Sequence, residues 1–446
     1  MFLTLIQVFS VILLAAFLGI FVLIAIALIR TIIIKNPNIK VLTKNSISSE
    51  KIDDYKRNME YLFSNPLADA IPYLFPNVYK KGKMVEFENG MLFQYQSEEA
   101  APKVLINIPI KKLAPGQIKF NGQSVFGENT YHSKSQLYSL FDALETMTLS
   151  GEELELNLCV AIYSQNSKDN KIFKYLEEKE KNFDLVLGEG GKILDPITTG
   201  FRSFYAFIGV GVNEKVTIRY KTKKIGKGNE RLADFLDEIK DETLFETKID
   251  SEAILAIRKL SKDMLYGNRF ILNNIVWLPK LGKRIVEEEL LESNKAWKTY
   301  FSCGEIQNDE EYYYVDISFY VSSNETEKDI ISVFNKKVIK YSLEYEIISK
   351  EEKNRGITTH NSIYKEFANI IDNVFQELYT TSYILNENVS DRDTEKISKN
   401  IIRFSPLYYS RDAIIGEKTN NEWVSFSSID KGISFYEEFL LKFRRK

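Results

Sequence analysis

Histidine and cysteine are nearly absent from this chain of 446 residues, which contains two of each. The histidines are His132 and His360, and the cysteines are Cys159 and Cys303. Because these four residues are scattered, the sequence contains no cluster of the Cys and His ligands that bind structural zinc. Cys159 lies in an apolar stretch and is predicted to be a small buried side chain. Nothing in the sequence supports a disulfide bond between the two cysteines.

A strong excess of either charge is also missing. The net charge is −3, and 27% of the residues are charged. We find no basic stripe with interleaved aromatic residues, so the sequence argues against a nucleic-acid partner. The apolar fraction is 44%, and 29 Phe and 25 Tyr can support a sizeable core. The length favours two domains with accessory segments over a single domain.

Charged side chains are absent from residues 1–29, and Phe2 to Ile34 is almost wholly apolar. This run exceeds the ~20 residues that span a bilayer. It lacks the basic start and short apolar core of a cleaved signal peptide, so we predict an uncleaved, single-pass membrane anchor. The side of the membrane stays open. Arg30 and the lysines after it favour a cytoplasmic location, whereas sequons at Asn324 and Asn388 favour the outside.

Apolar strands and amphipathic helices alternate in the first half of the chain. Val104–Ile110 and Leu154–Tyr163 are predicted strands, and Gln136–Leu149 between them is a predicted helix. This order is typical of an α/β fold, which places functional residues in the loops beyond the strand ends.

Short motifs follow these elements in a fixed order. They are Val104–Pro115, Gly122, Val125-Phe126-Gly127, Lys134, Leu185–Gly191, Arg403-Phe404-Ser405-Pro406, Asn421-Glu422 and Phe435-Tyr436. In their order and spacing the chain resembles the aminoacylase and carboxypeptidase S family of dinuclear zinc peptidases. The likeness is greatest to the membrane-anchored carboxypeptidase S-like branch, and it extends from about Ser48 to the C-terminus.

The resemblance implies an α/β fold with a zinc-peptidase-like mixed sheet flanked by helices. A ferredoxin-like α+β domain, used for dimerisation in the family, would be inserted in it. The expected segments are an anchor at 1–34, a linker at 35–50, a first peptidase-like part at 51–211, the inserted domain at 212–327 and a second peptidase-like part at 328–446.

Enzymes of this family hold two zinc ions with His and carboxylate ligands, and a Glu acts as general base on the metal-bound water. Carried over to this chain, the first metal His falls on Ile108, the bridging Asp on His132 and the general base on Gln165. Isoleucine has no ligand atom, and a glutamine amide does not accept a proton from water at neutral pH. Catalysis by the family mechanism is therefore not expected.

The other metal-binding and catalytic positions of the family also fall on residues of a different type in this chain. The second Glu of the family pair falls on Asn166, and the Asp of its DEGG strand end falls on Gly188, which leaves Glu189 as a retained neighbour. The last metal His falls on Lys418, and the oxyanion-stabilising His of the inserted domain falls near Lys227. We expect a degenerate site without zinc or another cofactor, in which Lys418 would pair with Glu189.

Two functions from different classes fit these observations. The first is a noncatalytic homologue that binds a peptide or an acylated amino acid, or forms a homodimer or a heterodimer with an active relative. The second is a hydrolase of peptide or N-acyl amino acid amide bonds with a site rebuilt around His132 and Glu189. A purely structural membrane protein is a third alternative.

Overall fold

The computed structural model describes the chain with several gaps. The described residues are 2–33, 47–97, 101–130, 133–165, 170–180, 182–196, 203–240, 244–249, 251–289, 297–322, 324–354, 356–385, 389–409 and 422–443.

The described helices are distributed along the whole chain. They are α1 Phe2–Ile33, α2 Ser49–Ser64, α3 Leu67–Leu74, α4 Pro76–Lys81, α5 Lys134–Ser150, α6 Lys171–Lys179, α7 Gly228–Ile239, α8 Ser251–Leu260, α9 Tyr266–Asn273, α10 Pro279–Glu289, α11 Glu327–Lys340, α12 Ser362–Val374 and α13 Phe426–Lys442. Short 3-10 helices cover Ser261–Asp263 and Arg392–Lys396.

The strands group into three sheets. They are β1 Lys83–Phe87, β2 Gly90–Tyr95, β3 Lys103–Ile110, β4 Lys119–Asn121, β5 Ser124–Phe126, β6 Asn157–Ser164, β7 Leu185–Gly188, β8 Lys192–Leu194, β9 Phe204–Val212, β10 Glu214–Lys223, β11 Tyr300–Cys303, β12 Gln307–Asn308, β13 Tyr312–Val321, β14 Glu344–Glu351, β15 Leu378–Leu385, β16 Ile401–Arg403, β17 Tyr408–Tyr409 and β18 Trp423–Ser425.

The largest sheet is mixed, as the sequence predicts. In the described part of the chain it has ten strands in the order β1-β2-β6-β3-β7-β16-β9-β8-β17, and β15 pairs with β9. The central strands β6, β3 and β7 are parallel, whereas β2 runs antiparallel to β6. Central strands buried on both faces read as continuous apolar runs, and β3 has that pattern.

Helices cover both faces of this sheet. One face packs against α2 to α5, α12 and α13 in the largest apolar core. The other face packs against α6 at one end and against α8 at the other. This is a three-layer arrangement, in which the parallel strands are shielded from water.

A second, five-stranded sheet has the order β11-β13-β10-β14, with β12 paired to β13. Its apolar face packs on α7 and α11 through residues such as Phe235 and Phe334. Helix α11, which begins at the predicted boundary of 327, contributes to this core, and β14, which lies beyond that boundary, pairs with β10. Within the predicted insert, α8 packs instead on the large sheet.

Only some of the side chains of α1 are described. Side chains are described for residues 14–29 and for Thr31. Ala27 and Thr31 are buried, whereas Leu14, Phe17 and Phe21 are exposed. Within the described residues, no helix combines the length and the apolar character needed to cross a bilayer.

Candidate functional site

The predicted site lies where four parallel strands of the large sheet end side by side. Strand β3 ends at Ile110, which pairs with Ser164 at the end of β6. Strand β7 ends at Gly188, which pairs with Arg403 at the end of β16. Since carboxyl ends of neighbouring parallel strands meet at one edge, the sheet brings these segments of the chain together.

The position of the first expected metal ligand is an apolar core position. Ile108 is fully buried in β3 and belongs to the largest apolar cluster. It pairs with Ile162 of β6, so hydrocarbon also lies beside it on the neighbouring strand. No ligand atom is available here, and burial of both side chains stabilises the strand pair.

Glu189, the retained acidic residue, has protein donors on both carboxylate oxygens. Gln165 donates its side-chain amide to Oε1 at 2.6 Å. Ser390 donates its backbone N–H and its hydroxyl to Oε2 at 2.8 and 2.6 Å. Gln165, which is predicted at the position of the family's general base, is thus a hydrogen-bond donor to a neighbouring carboxylate.

A buried ion pair occupies the space beside Gly188. The guanidinium of Arg403 lies 3.0 Å from the carboxylate of Asp391, and both side chains are completely buried. The other carboxylate oxygen of Asp391 accepts hydrogen bonds from the backbone N–H of Glu189 at 3.0 Å and from Asn107 at 3.2 Å. A Cβ atom on Gly188 would lie 2.3 Å from that oxygen. Asp391 therefore fills the space that a side chain at position 188 needs.

A second ion pair closes the site at the end of β3. Lys111 lies 2.5 Å from Glu422, whose side chain is 1% exposed. The backbone carbonyl of Glu422 accepts a hydrogen bond from Gly127 at 2.9 Å, which joins the two motif segments. The carboxylate of the predicted Asn421-Glu422 motif is therefore held by a lysine.

Burial has changed the acid–base properties of two side chains from these segments. It raises the pKa of Tyr163 well above its usual range. It also lowers the pKa of Lys134 to about 8, and the Lys134 ammonium lies 4.9 Å from the centre of the Phe63 ring. Neither side chain is placed as a solvent-exposed acid or base, since both are about 1% exposed.

Several predicted positions are not part of this arrangement. Lys227 lies at the start of α7 in the inserted module, where it forms an ion pair with Glu230 at 2.8 Å. The Glu230 carboxylate raises the pKa of Lys227, and the lysine is largely exposed. His132, Asn166 and Lys418 lie outside the described residues, and so does the expected pair between Lys418 and Glu189.

The described residues do not fit a zinc centre. Among them, no group of three or more His, Cys, Asp or Glu side chains is placed to hold a metal ion. The carboxylates at the strand ends are held by Gln165, Ser390, Arg403 and Lys111. Cys159 is buried, as predicted, and both cysteines are free.

Asp391 is the residue that sequence reasoning missed. It follows a glycosylation sequon and carries no motif of its own. The available signal was Arg403, which follows the apolar pair Ile401-Ile402, because a buried guanidinium needs an anionic partner.

A cavity of about 260 Å³ lies at the opposite edge of the sheet. Lys103 at the start of β3, Asn157 at the start of β6, Cys159 and Glu180 are among its lining residues. Its position at the amino ends of the strands separates it from the residues described above.

No family model matches this chain, and no curated protein does. Solved structures do match over most of its length. Human carnosine dipeptidase 1 aligns with a TM-score of 0.60 at 10% identity, over 88% of this chain and 96% of that one. The dipeptidase Dug1p from Saccharomyces cerevisiae aligns with a TM-score of 0.54 at 11% identity, over 88% and 96%.

A third match names the family. The M20 family metallo-carboxypeptidase Sso-CP2 from Sulfolobus solfataricus aligns with a TM-score of 0.51 at 15% identity, over 88% of this chain and 99% of that one. At these identities the likeness concerns the fold alone. The chain therefore has the mixed α/β fold of the M20 family metallopeptidases.

Proposed function

We propose that this chain is a noncatalytic homologue of the M20 metallopeptidases that works by binding. The main support for this proposal is the ion pair between Asp391 and Arg403, which fills the space beside Gly188. This packing supports the proposal, because position 188 is the one that the family resemblance assigns to a metal-binding Asp.

The chemistry of the neighbouring positions supports the same conclusion. Zinc peptidases need ligands for the metal and a base for the bound water. Ile108 offers hydrocarbon, and the Gln165 amide is a hydrogen-bond donor to Glu189. The described side chains thus retain neither role.

The proposed ligand class is taken by analogy from proteins with a similar fold. The matched structures include two dipeptidases and a carboxypeptidase. We propose a peptide or N-acyl amino acid as the ligand, bound at the carboxyl edge of the large sheet. Pairing with a second copy or with an active relative through the five-stranded sheet is the accompanying proposal. Membership of the carboxypeptidase S-like branch and a membrane anchor over residues 2–34 rest on the sequence.

The alternative is a hydrolase with a site rebuilt around His132 and Glu189. It requires a Glu189 carboxylate that is free to take a proton or to bind a metal ion. Because Gln165 and Ser390 donate hydrogen bonds to both oxygens, the observed geometry favours the binding role.

Metal content separates the two functions. The full chain would be purified in mild detergent after growth in zinc-supplemented medium and examined by elemental analysis and by dipeptide hydrolysis. We expect less than about a tenth of an equivalent of zinc and no hydrolysis, because the ligand set is missing. Gly188→Asp should not restore zinc, since the new side chain would meet Asp391.

One or more equivalents of zinc, lost in Glu189→Gln, would overturn the noncatalytic assignment. Ligand binding is tested separately by thermal unfolding with dipeptides and N-acetyl amino acids, because a ligand of the folded state raises the unfolding temperature. If no such compound shifts unfolding and the chain is monomeric, the binding role is wrong even when zinc is absent.

A further inference from the structure

A rigid turn between α9 and α10 presents large apolar side chains to solvent. Val276 is 57% exposed, Trp277 is 41% exposed and Leu281, in the first turn of α10, is 51% exposed. These three residues are called the tip surface below. They belong to none of the three sheets and lie outside the candidate site.

The conformation of the turn is fixed from inside. Ile275 is buried and packs against Gly282, where a Cβ atom would lie 2.3 Å from the Ile275 side chain. The backbone N–H groups of Trp277 and Leu278 donate to the carbonyl of Asn274 at 2.9 and 3.0 Å. With Ile275 directed inward, the next two side chains are held outward.

The turn lies directly beside the end of α1. The Asn274 amide donates to the carbonyl of Ala27 at 3.3 Å, and Ala27 and Thr31 are buried. Before this contact, α1 exposes large apolar side chains, including Leu14, Phe17 and Phe21. The tip surface is thus next to a helix whose described surface is apolar.

We propose that the tip surface enters the interfacial region of a lipid bilayer beside α1. Exposed apolar patches mark interaction sites, and a Trp ring with one polar edge favours the membrane–water boundary. Lys280, between Trp277 and Leu281 in the sequence, is exposed, and a lysine beside an inserted apolar surface can extend its ammonium toward headgroup phosphates. This placement rests on the proposed membrane anchor over residues 2–34, and it is independent of the proposed peptide-binding role.

Tryptophan fluorescence tests this placement. The chain has three tryptophans, Trp277, Trp297 and Trp423, and residues 1–34 contain none. Trp297 is 4% exposed, and Trp423 stacks on Phe126. The full chain would be reconstituted into phosphatidylcholine vesicles with and without brominated acyl chains, which quench only nearby indole rings. Co-flotation with the vesicles would be measured on the same samples.

We expect quenching in bromolipid vesicles, stronger with bromine near the headgroup end of the acyl chain than near its methyl end. Trp277→Phe should abolish the quenching, whereas Trp423→Phe, the matched control, should retain it. Unchanged thermal unfolding shows that both variants are folded.

Three results would overturn the assignment. They are failure to co-float, co-flotation without quenching, and quenching that persists in Trp277→Phe. An emission of Trp277 that depends on protein concentration instead of on bromolipid would assign the surface to a second copy of the chain.

Discussion

At the residue scale, Lys134 is a clear case of a side chain that is buried although burial disfavours its charged form. It begins α5, is 1% exposed and lies over the ring of Phe63. Burial disfavours the ammonium form, which is why its pKa falls from 10.5 to about 8. The unfolded chain therefore binds the Lys134 proton more tightly than the folded chain does.

The free energy of unfolding should therefore depend on pH through Lys134. The cost of the buried charge is fully present below pH 8, and it is relieved as the pH rises from about 8 toward 10.5. Lys134→Met should raise the free energy of unfolding at pH 7 by about 1–3 kcal/mol and have little effect near pH 10.5. Denaturant unfolding of the full chain at both pH values measures the difference.

The matched control is Lys119→Met, which changes an exposed lysine on β4. It should have the same small effect at both pH values. An effect of Lys134→Met that does not vary with pH would contradict the assignment of this lysine as a buried, destabilising charge.

At this scale, the sequence predicts which side chains lack ligand or base atoms, but it does not predict the contacts around them. Ile108, Gln165 and Gly188 reveal their chemistry by identity alone, since ligand and base chemistry is a property of the side chain. The contact from Asp391 to Glu189 joins residues 202 positions apart, and no local pattern encodes it.

At the element scale, α4 depends on a side chain from another helix. Near the start of α4, the carboxylate of Glu145 on α5 accepts two backbone hydrogen bonds. One comes from the N–H of Asn77 at 3.1 Å and the other from the N–H of Val78 at 2.9 Å. A carboxylate at a helix N-terminus satisfies free donors and interacts favourably with the helix dipole. Six residues form α4, so it has little stability of its own.

Glu145→Ala should lower the free energy of unfolding by about 1–3 kcal/mol, because buried donors lose their acceptor. Hydrogen exchange should accelerate most at Val78 and the following amides of α4. Glu152→Ala, at an exposed position just after α5, serves as the control. Equal effects of the two substitutions would mean that Glu145 does not cap α4.

Some elements were predictable because their signals are local. The Asn89-Gly90 pair between two apolar runs predicts the hairpin of β1 and β2, and the strands pair from Phe87 and Gly90 outward. The apolar spacing after Asn361 predicts one long helix from Ser362 to Leu378, but the helix is shorter. It ends at Val374, and the following β-branched and aromatic residues form β15, which pairs with β9. These residues form a strand because they pair with β9, which is distant in sequence. Local propensity alone does not predict this pairing.

At the scale of the whole molecule, one arginine joins the two linkers between the sheets. Arg392 donates to the carbonyls of Glu352 at 2.8 Å and Asn213 at 3.1 Å, and its guanidinium lies 2.8 Å from the carboxylate of Glu351. The linkers also pair with each other through Val212 and Asn354. These contacts therefore fix the inserted module at the two linkers that join it to the large sheet.

Arg392→Ala should increase hydrogen exchange at the Val212 and Asn354 amides by about tenfold, because local opening then breaks fewer contacts. Amides inside the five-stranded sheet should be unaffected. Arg284→Ala removes an exposed arginine paired with Glu288 and should leave the linkers unchanged. Uniform acceleration over the whole chain would instead indicate general destabilisation.

The ion pair beside Gly188 also limits the evolutionary routes that are open to this chain. A carboxylate at position 188 collides with Asp391, while removal of Asp391 leaves the Arg403 charge buried and uncompensated. The first step toward a carboxylate at position 188 is therefore costly in either order. Such a change needs coordinated substitutions at Gly188, Asp391 and Arg403, so selection acting one substitution at a time would preserve the present architecture.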